Sequence, residues 1–141
     1  MIPKFRAWDK EYEVMIDWFW LSSEGDLYET PVTVYDTPHL ELERNDDLIA
    51  MQYTGLKDKN SVEIYEGDVV ERTYLFNGGY GETHTGEVVY DKEYARYVIS
   101  RPQKHIEPKT EDLRNILSDK STYEVIGNIY ENPELLKEQN K

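Results

Sequence analysis

Four carboxylates lie close together at Glu41, Glu43, Asp46 and Asp47. Oxygen donors so grouped are the chemistry of a divalent-cation site. An EF-hand loop needs a fixed order of ligands around a central glycine, and this stretch has neither, so the spacing supports a solvated acidic loop. A two-metal nuclease centre would need acids converging from separate strands, which spacing along one chain does not show. Asp68, in Tyr65-Glu66-Gly67-Asp68-Val69-Val70, is of a type that serves as general base or metal ligand. No partner is set beside it for either role. Its context fits a turn of the kind common in SH3-like barrels, where glycine permits the bend and aspartate accepts from nearby backbone amides.

His39, His84 and His105 stand far apart and show no metal-ligand spacing. Gly78, Gly79 and Gly81 imitate a phosphate-binding loop only superficially, because no Gly-Lys-Ser/Thr follows and no helix opens behind them. A mobile hairpin loop is the expectation. No Gly-x-Ser-x-Gly elbow activates a serine. Trp8, Trp18, Trp20, Tyr28, Tyr35, Tyr53 and Tyr65 would make a stacking platform for single-stranded nucleic acid, but such platforms sit in basic grooves. Residues 1–50 carry 12 acids against 4 bases, so core packing and a protein interface account for these rings better. No catalytic residue, cofactor site or metal site is expected.

The elements that would position these groups are mostly strands. Pro3 to Trp8 alternates with period two. Val14 to Leu21 is apolar, and Leu27 to Tyr35 is β-prone with Pro31 confining it to an edge or bulge. Asp36 to Asp47 is acidic and irregular, which sets a seam between an N-terminal β lobe, residues 1–47, and a β-barrel-like body with short C-terminal helices, residues 48–141; the alternative is one continuous domain. Leu48 to Val70 is the organising stretch of that body. Its apolar runs flank Lys57-Asp58-Lys59-Asn60-Ser61, where Asn60 is the residue best suited to a positive φ. Val69 to Phe76, Thr85 to Tyr90, Tyr94 to Ser100 and Thr122 to Tyr130 read as further strands. Arg101 to Lys109 reads as a polar linker. Thr110 would cap a short helix bearing Leu113, Ile116 and Leu117 on one face, and Asn132-Pro133 would open another. The fold class is mainly β, a partly open SH3-like barrel or sandwich with one or two short helices.

At 141 residues and net charge −13, with no cysteine, the chain has neither disulfides nor thiolate chemistry. The N-terminus lacks the apolar stretch of a signal peptide and no segment is long enough to span a bilayer, so a cytoplasmic protein is expected. The acidic balance repels phosphate backbones and anionic lipid, making nucleic acid and membranes poor partners.

Three segments together resemble the YopX protein family. They are Phe5-Arg6-Ala7-Trp8-Asp9; Met51 to Asn60 running on to Ile64-Tyr65-Glu66-Gly67-Asp68-Val69-Val70; and Glu124-Val125-Ile126-Gly127-Asn128-Ile129-Tyr130-Glu131-Asn132-Pro133-Glu134-Leu135-Leu136. The resemblance covers essentially the whole chain. It implies a β-rich fold, an origin in phages or prophages of low-GC and gut bacteria, and residence in the host cytoplasm. It transfers no catalytic residue. The motif residues Tyr53, Gly55, Asp58, Asn60, Tyr65, Gly67, Asp68, Gly127, Asn128 and Tyr130 are expected to be structural. The chain departs from the family pattern at Ser61, where glycine is usual, so Asn60 is expected to carry the strained position alone. The acidic Ser22 to Asp47 region has no counterpart in the pattern. The function expected is non-enzymatic contact with an unidentified protein, including a homo-oligomer. The alternatives are an acidic DNA mimic that blocks a host DNA-binding protein, a metal-dependent nucleic-acid enzyme, and a single-strand binder.

Overall fold

The structure, a computed structural model, describes residues 3–29, 42–75, 81–103, 106–113 and 122–137. It divides into two compact units, one from Lys4 to Gln52 and one from Tyr53 onward.

In the first unit, β1 (Phe5–Asp9) pairs antiparallel with β2 (Val14–Ile16) and with the leading half of β6 (Leu48–Lys57). Ala7, Trp8, Leu48 and Met51 are buried along these ladders; the N-terminal strand is where the period-two pattern puts one, but Ala7, Trp8 and Asp9 are buried in succession instead of alternately, so both faces of its end are covered. The apolar stretch from Val14 breaks after Ile16 and resumes as β3 (Trp20–Leu21), which pairs with β4 (Leu27–Glu29). β4 pairs in turn with β5 (Glu43–Arg44). Pro31, Tyr35 and the first half of the acidic connector, with His39 and Glu41, lie outside the described residues.

The second unit is a five-stranded antiparallel sheet ordered β11-β10-β9-β8-β12, built from β8 (Asp68–Leu75), β9 (Gly81–Asp91), β10 (Arg96–Gln103), β11 (Ile106–Asp112) and β12 (Thr122–Asn128). β7 (Glu63–Tyr65) pairs with the trailing half of β6. The sheet curls as a half-barrel around that hairpin, so that Ile64, Val70, Val88, Ile99, Leu113 and Tyr123 form one core with Leu56, Tyr97 and Val125 against it. Burying such β-branched and aromatic side chains is what a curled sheet offers and a flat ribbon does not. Gly86 is forced by this packing: a Cβ there would stand 2.4 Å from Ile99 Cγ2. One short helix, α1 (Glu134–Lys137), follows β12.

Two sequence expectations are corrected. Arg101 to Lys109 is not a linker: β10 runs to Gln103, and β11 starts at Ile106. Thr110, Glu111 and Asp112 therefore lie in a strand, paired with Ser100, Ile99 and Val98, rather than capping a helix. Cross-strand pairing outweighs the local capping signal, and Pro108 is tolerated because β11 is a sheet edge. Ile116 and Leu117 lie outside the described residues.

Candidate functional site

The motif residues gather at three tight turns of the second unit. At the β6–β7 turn Asp58 is 7% exposed and accepts hydrogen bonds from Asn60 N at 2.8 Å, Val62 N at 2.9 Å and, across to β12, Val125 N at 2.9 Å. Around it Lys59 N donates to Tyr123 O at 3.3 Å and the Tyr123 hydroxyl donates to Lys57 O at 3.2 Å. Asn60 Nδ2 and Lys59 Nζ both reach the Glu124 carboxylate, at 3.2 and 3.6 Å. One buried carboxylate thus satisfies three backbone donors from two segments that are distant in sequence, which fixes the hairpin on the sheet. The left-handed residue here is Ser61, with φ of 64°, not Asn60. Asp58 Oδ1 holds Asn60 N inside the turn, so the reversal falls on the residue before Val62, whatever its type.

At the second turn Tyr65 N donates to Asp68 Oδ2 at 2.8 Å, with Asp68 1% exposed. Gly67 takes φ of 82° and joins two further segments, donating to Val88 O at 2.9 Å and accepting from Ile129 N at 2.9 Å. At the third turn Asn128 Oδ1 accepts from Tyr130 N and Glu131 N, at 3.0 and 2.8 Å. Asn132 Oδ1 turns back to accept from Asn128 N at 3.3 Å. Gly127 is needed because a Cβ there would meet Asn132 Oδ1 at 2.4 Å. Gly55, with φ of 86°, sits where the β6–β7 register shifts, and Thr54 Oγ1 donates to Ile64 O at 2.8 Å. Beyond the bulge Tyr53 and Tyr65 face each other edge-to-face at 5.5 Å.

These polar groups are consumed by the fold. Burial raises the phenol of Tyr123 to about 12, with the Asp58 carboxylate adding to it. Burial likewise raises Tyr97 to about 12, helped by Glu66 and Tyr90. It also raises Tyr130, beside Glu87 and Glu66, and pushes Glu87 above the usual carboxylate range. Among the described residues no three His, Asp or Glu side chains are placed to hold a metal ion. His84 lies on β9, while His105, Gly78 and Gly79 lie outside the described residues. Of the acidic group, Asp46 accepts from Arg44 Nε at 2.7 Å and Asp26 lies 3.3 Å from Arg44 Nη2, which together hold the guanidinium more firmly protonated.

Two further features stand out, the first of which no motif marks and the second of which closes the Phe5-Arg6-Ala7-Trp8-Asp9 motif. One is a groove of about 560 Å³ lined by Thr54, Leu56, Tyr94, Arg96, Asp112 and Leu113 among others. Its Arg96 is engaged by Asp91 and Asp112, each at 3.5 Å, and stacks on Tyr94 at 4.9 Å. Ala95, with φ of 51°, holds the hairpin that places them. Strand pairing across β10 and β11 assembles these residues, which no local spacing announces. The other is Asp9, 2% exposed, whose carboxylate accepts from Glu11 N at 2.8 Å and Tyr12 N at 3.2 Å and so shapes the β1–β2 turn.

The first unit holds the main outward-facing feature. Tyr12 is 71% exposed, Val14 47%, Trp18 80%, Trp20 39% and Leu21 41%, all within one run of chain. Among the described residues β2 and β3, which lie within this run, are outer strands of their ladders. Large rings so exposed beside strands that are outermost among the described residues form an apolar patch on the surface of this unit.

The fold and its carboxylate-braced turns define a small mainly-β protein of half-barrel type. Residues 4–137 match the model of the family described as YopX protein, and the chain belongs to that family. Among solved structures it is similar to protein EF1440 from Enterococcus faecalis, with 28% identity, a TM-score of 0.59, and 96% of this chain and 99% of that one covered. It is also similar in fold to protein yopX from Bacillus subtilis, at 23% identity and a TM-score of 0.58, covering 94% and 96% of the two chains. None of the curated proteins matches the chain. No helix among the described residues is long and apolar enough to cross a membrane.

Proposed function

We propose that the chain is a non-enzymatic accessory protein of a phage or prophage, resident in the bacterial cytoplasm. It works by holding another protein, or a second copy of itself, through the run from Tyr12 to Leu21. The observation that carries this reading is Trp18, 80% exposed between β2 and β3, which are outer strands among the described residues. Tryptophan in water is costly, and it is the residue type most often found anchoring protein interfaces. The buried acids, by contrast, are engaged with backbone amides, which supports a structural role for them. The phage assignment follows the family resemblance.

The test uses the full tagged chain to retrieve proteins from cells carrying the phage, beside its Trp18→Ala variant. A partner that titrates saturably when purified, and that the variant loses, is the expected result. Light scattering of the chain alone reads out self-association. Partners held equally by both forms, with no self-association, overturn the reading.

A further inference from the structure

We propose that the stretch from Glu11 to Glu24 is a docking edge for an extended, cationic segment of a partner protein. This rests on the protein-contact reading above and names the partner's chemistry. The first observation is the edge itself. Among the described residues β2 is bonded only to β1 and β3 only to β4, so each offers an outer row of backbone groups to an added strand. The second is the aromatic anchors, since the flat faces of Trp18 and Tyr12 attract guanidinium and ammonium groups.

The third is the rim. Glu11, Glu13, Asp17 and Glu24 are all exposed around those rings, and Lys10 is the nearest base in the sequence. Such a rim draws a positive segment and turns away a phosphate backbone. A second copy of this chain would bring the same acids to the edge, and the whole molecule carries −13, so charge opposes self-pairing here. The edge is also preformed. Asp9 ties Glu11 N and Tyr12 N, and Glu13 is held left-handed with φ of 54°, so the turn that displays Tyr12 needs no ordering on binding.

The test titrates the full chain with a fluorescein-labelled peptide of alternating valine and Lys/Arg, about one strand in length. Its partner probe has glutamate at every basic position. Anisotropy should show saturable binding of the basic peptide alone, weakening as salt is added. Trp18→Ala should weaken it by about tenfold, and Asp17→Asn by about threefold at low salt. Glu134→Gln on α1, which removes one exposed acid from the other unit, should leave it unchanged. Circular dichroism confirms that each variant folds. No saturable binding, equal binding of the acidic peptide, or a loss in Glu134→Gln matching that in Asp17→Asn overturns the proposal. A cellular partner that needs Trp18 while the basic peptide fails to bind sinks this inference alone. Partners indifferent to Trp18 sink the protein-contact reading with it.

Discussion

The β6–β7 turn of the second unit and the Tyr12–Leu21 run of the first treat their polar and aromatic residues in opposite ways. Asp58 is buried and serves three amides, and Tyr123 beside it is 4% exposed with its hydroxyl committed to Lys57 O. Asp17 and Trp18 face water. Residue type alone does not separate the two sets, since each combines acids with rings. What separates them is whether the fold supplies backbone donors for the carboxylates and a core for the rings. Where it does, the residues serve stability. Where it does not, acids and rings stand exposed, and the contact role proposed above is the use we assign them.

Of the acids compared, the larger effect should come from breaking the first member of the pair. Asp58→Ala leaves three part-buried backbone amides without their acceptor and frees the hairpin from β12, so we expect a loss of about 3–4 kcal/mol, read from the urea midpoint. Asp17→Asn, at the same acid type, should change stability by no more than about 0.5 kcal/mol. Comparable losses at both positions would erase the distinction.

A second test uses pH. The Tyr123 phenol, normally near 10, is raised to about 12 by burial and by Asp58. The folded state therefore holds this proton more tightly than the unfolded chain does. The stabilisation is complete below about pH 10 and is lost as pH rises towards 12, by up to about 1.4 kcal/mol per unit for one phenol. Tyr97 titrates in the same direction, and being only partly buried it should contribute less. Urea unfolding followed across this window should steepen with pH, and Tyr123→Phe should flatten it. An unchanged slope in the variant would mean the phenol does not feel its burial.

Much of this arrangement was legible in the sequence, and the exceptions have physical causes. The strand holding Ala7 and Trp8, the turn at Lys57 to Ser61 and the bend at Gly67 have local signals, and each lies where period and turn chemistry place it, although burial at the end of that strand is continuous instead of alternating. The bond from Val125 N to Asp58 was not legible, because it spans 67 residues and depends on the curl of the sheet. β11 was hidden by its polar composition and by Pro108, which an edge strand tolerates and a central strand does not. The Arg96 groove is likewise assembled by pairing. Ser61 shows a subtler limit. Asparagine has the better intrinsic tolerance of positive φ, yet hydrogen bonding to Asp58 decides which residue must adopt it.

That limit gives the third prediction. Ser61→Gly should relieve a strained left-handed residue and raise stability by about 1 kcal/mol. Asn60→Gly, one residue away, has no such strain to relieve and should lose a few tenths of a kcal/mol with its contact to Glu124. Unfolding midpoints of the two variants moving together would place the reversal elsewhere in the turn.

The smallest effect on folding should come from the second member of the pair, and its smallness is the informative part. Trp18 is 80% exposed, so Trp18→Ala removes few contacts and should shift the unfolding midpoint by no more than about 0.5 kcal/mol. Trp8 is 8% exposed between β2 and β6, and Trp8→Ala should cost about 3–5 kcal/mol. Two tryptophans ten residues apart then differ severalfold in their contribution to the fold. Intrinsic fluorescence offers an independent reading, because a quencher such as iodide should reach Trp18 and not Trp8. If removing Trp18 cost as much as removing Trp8, its ring would be packed, and the Tyr12–Leu21 run would be core, not a surface held open for a partner.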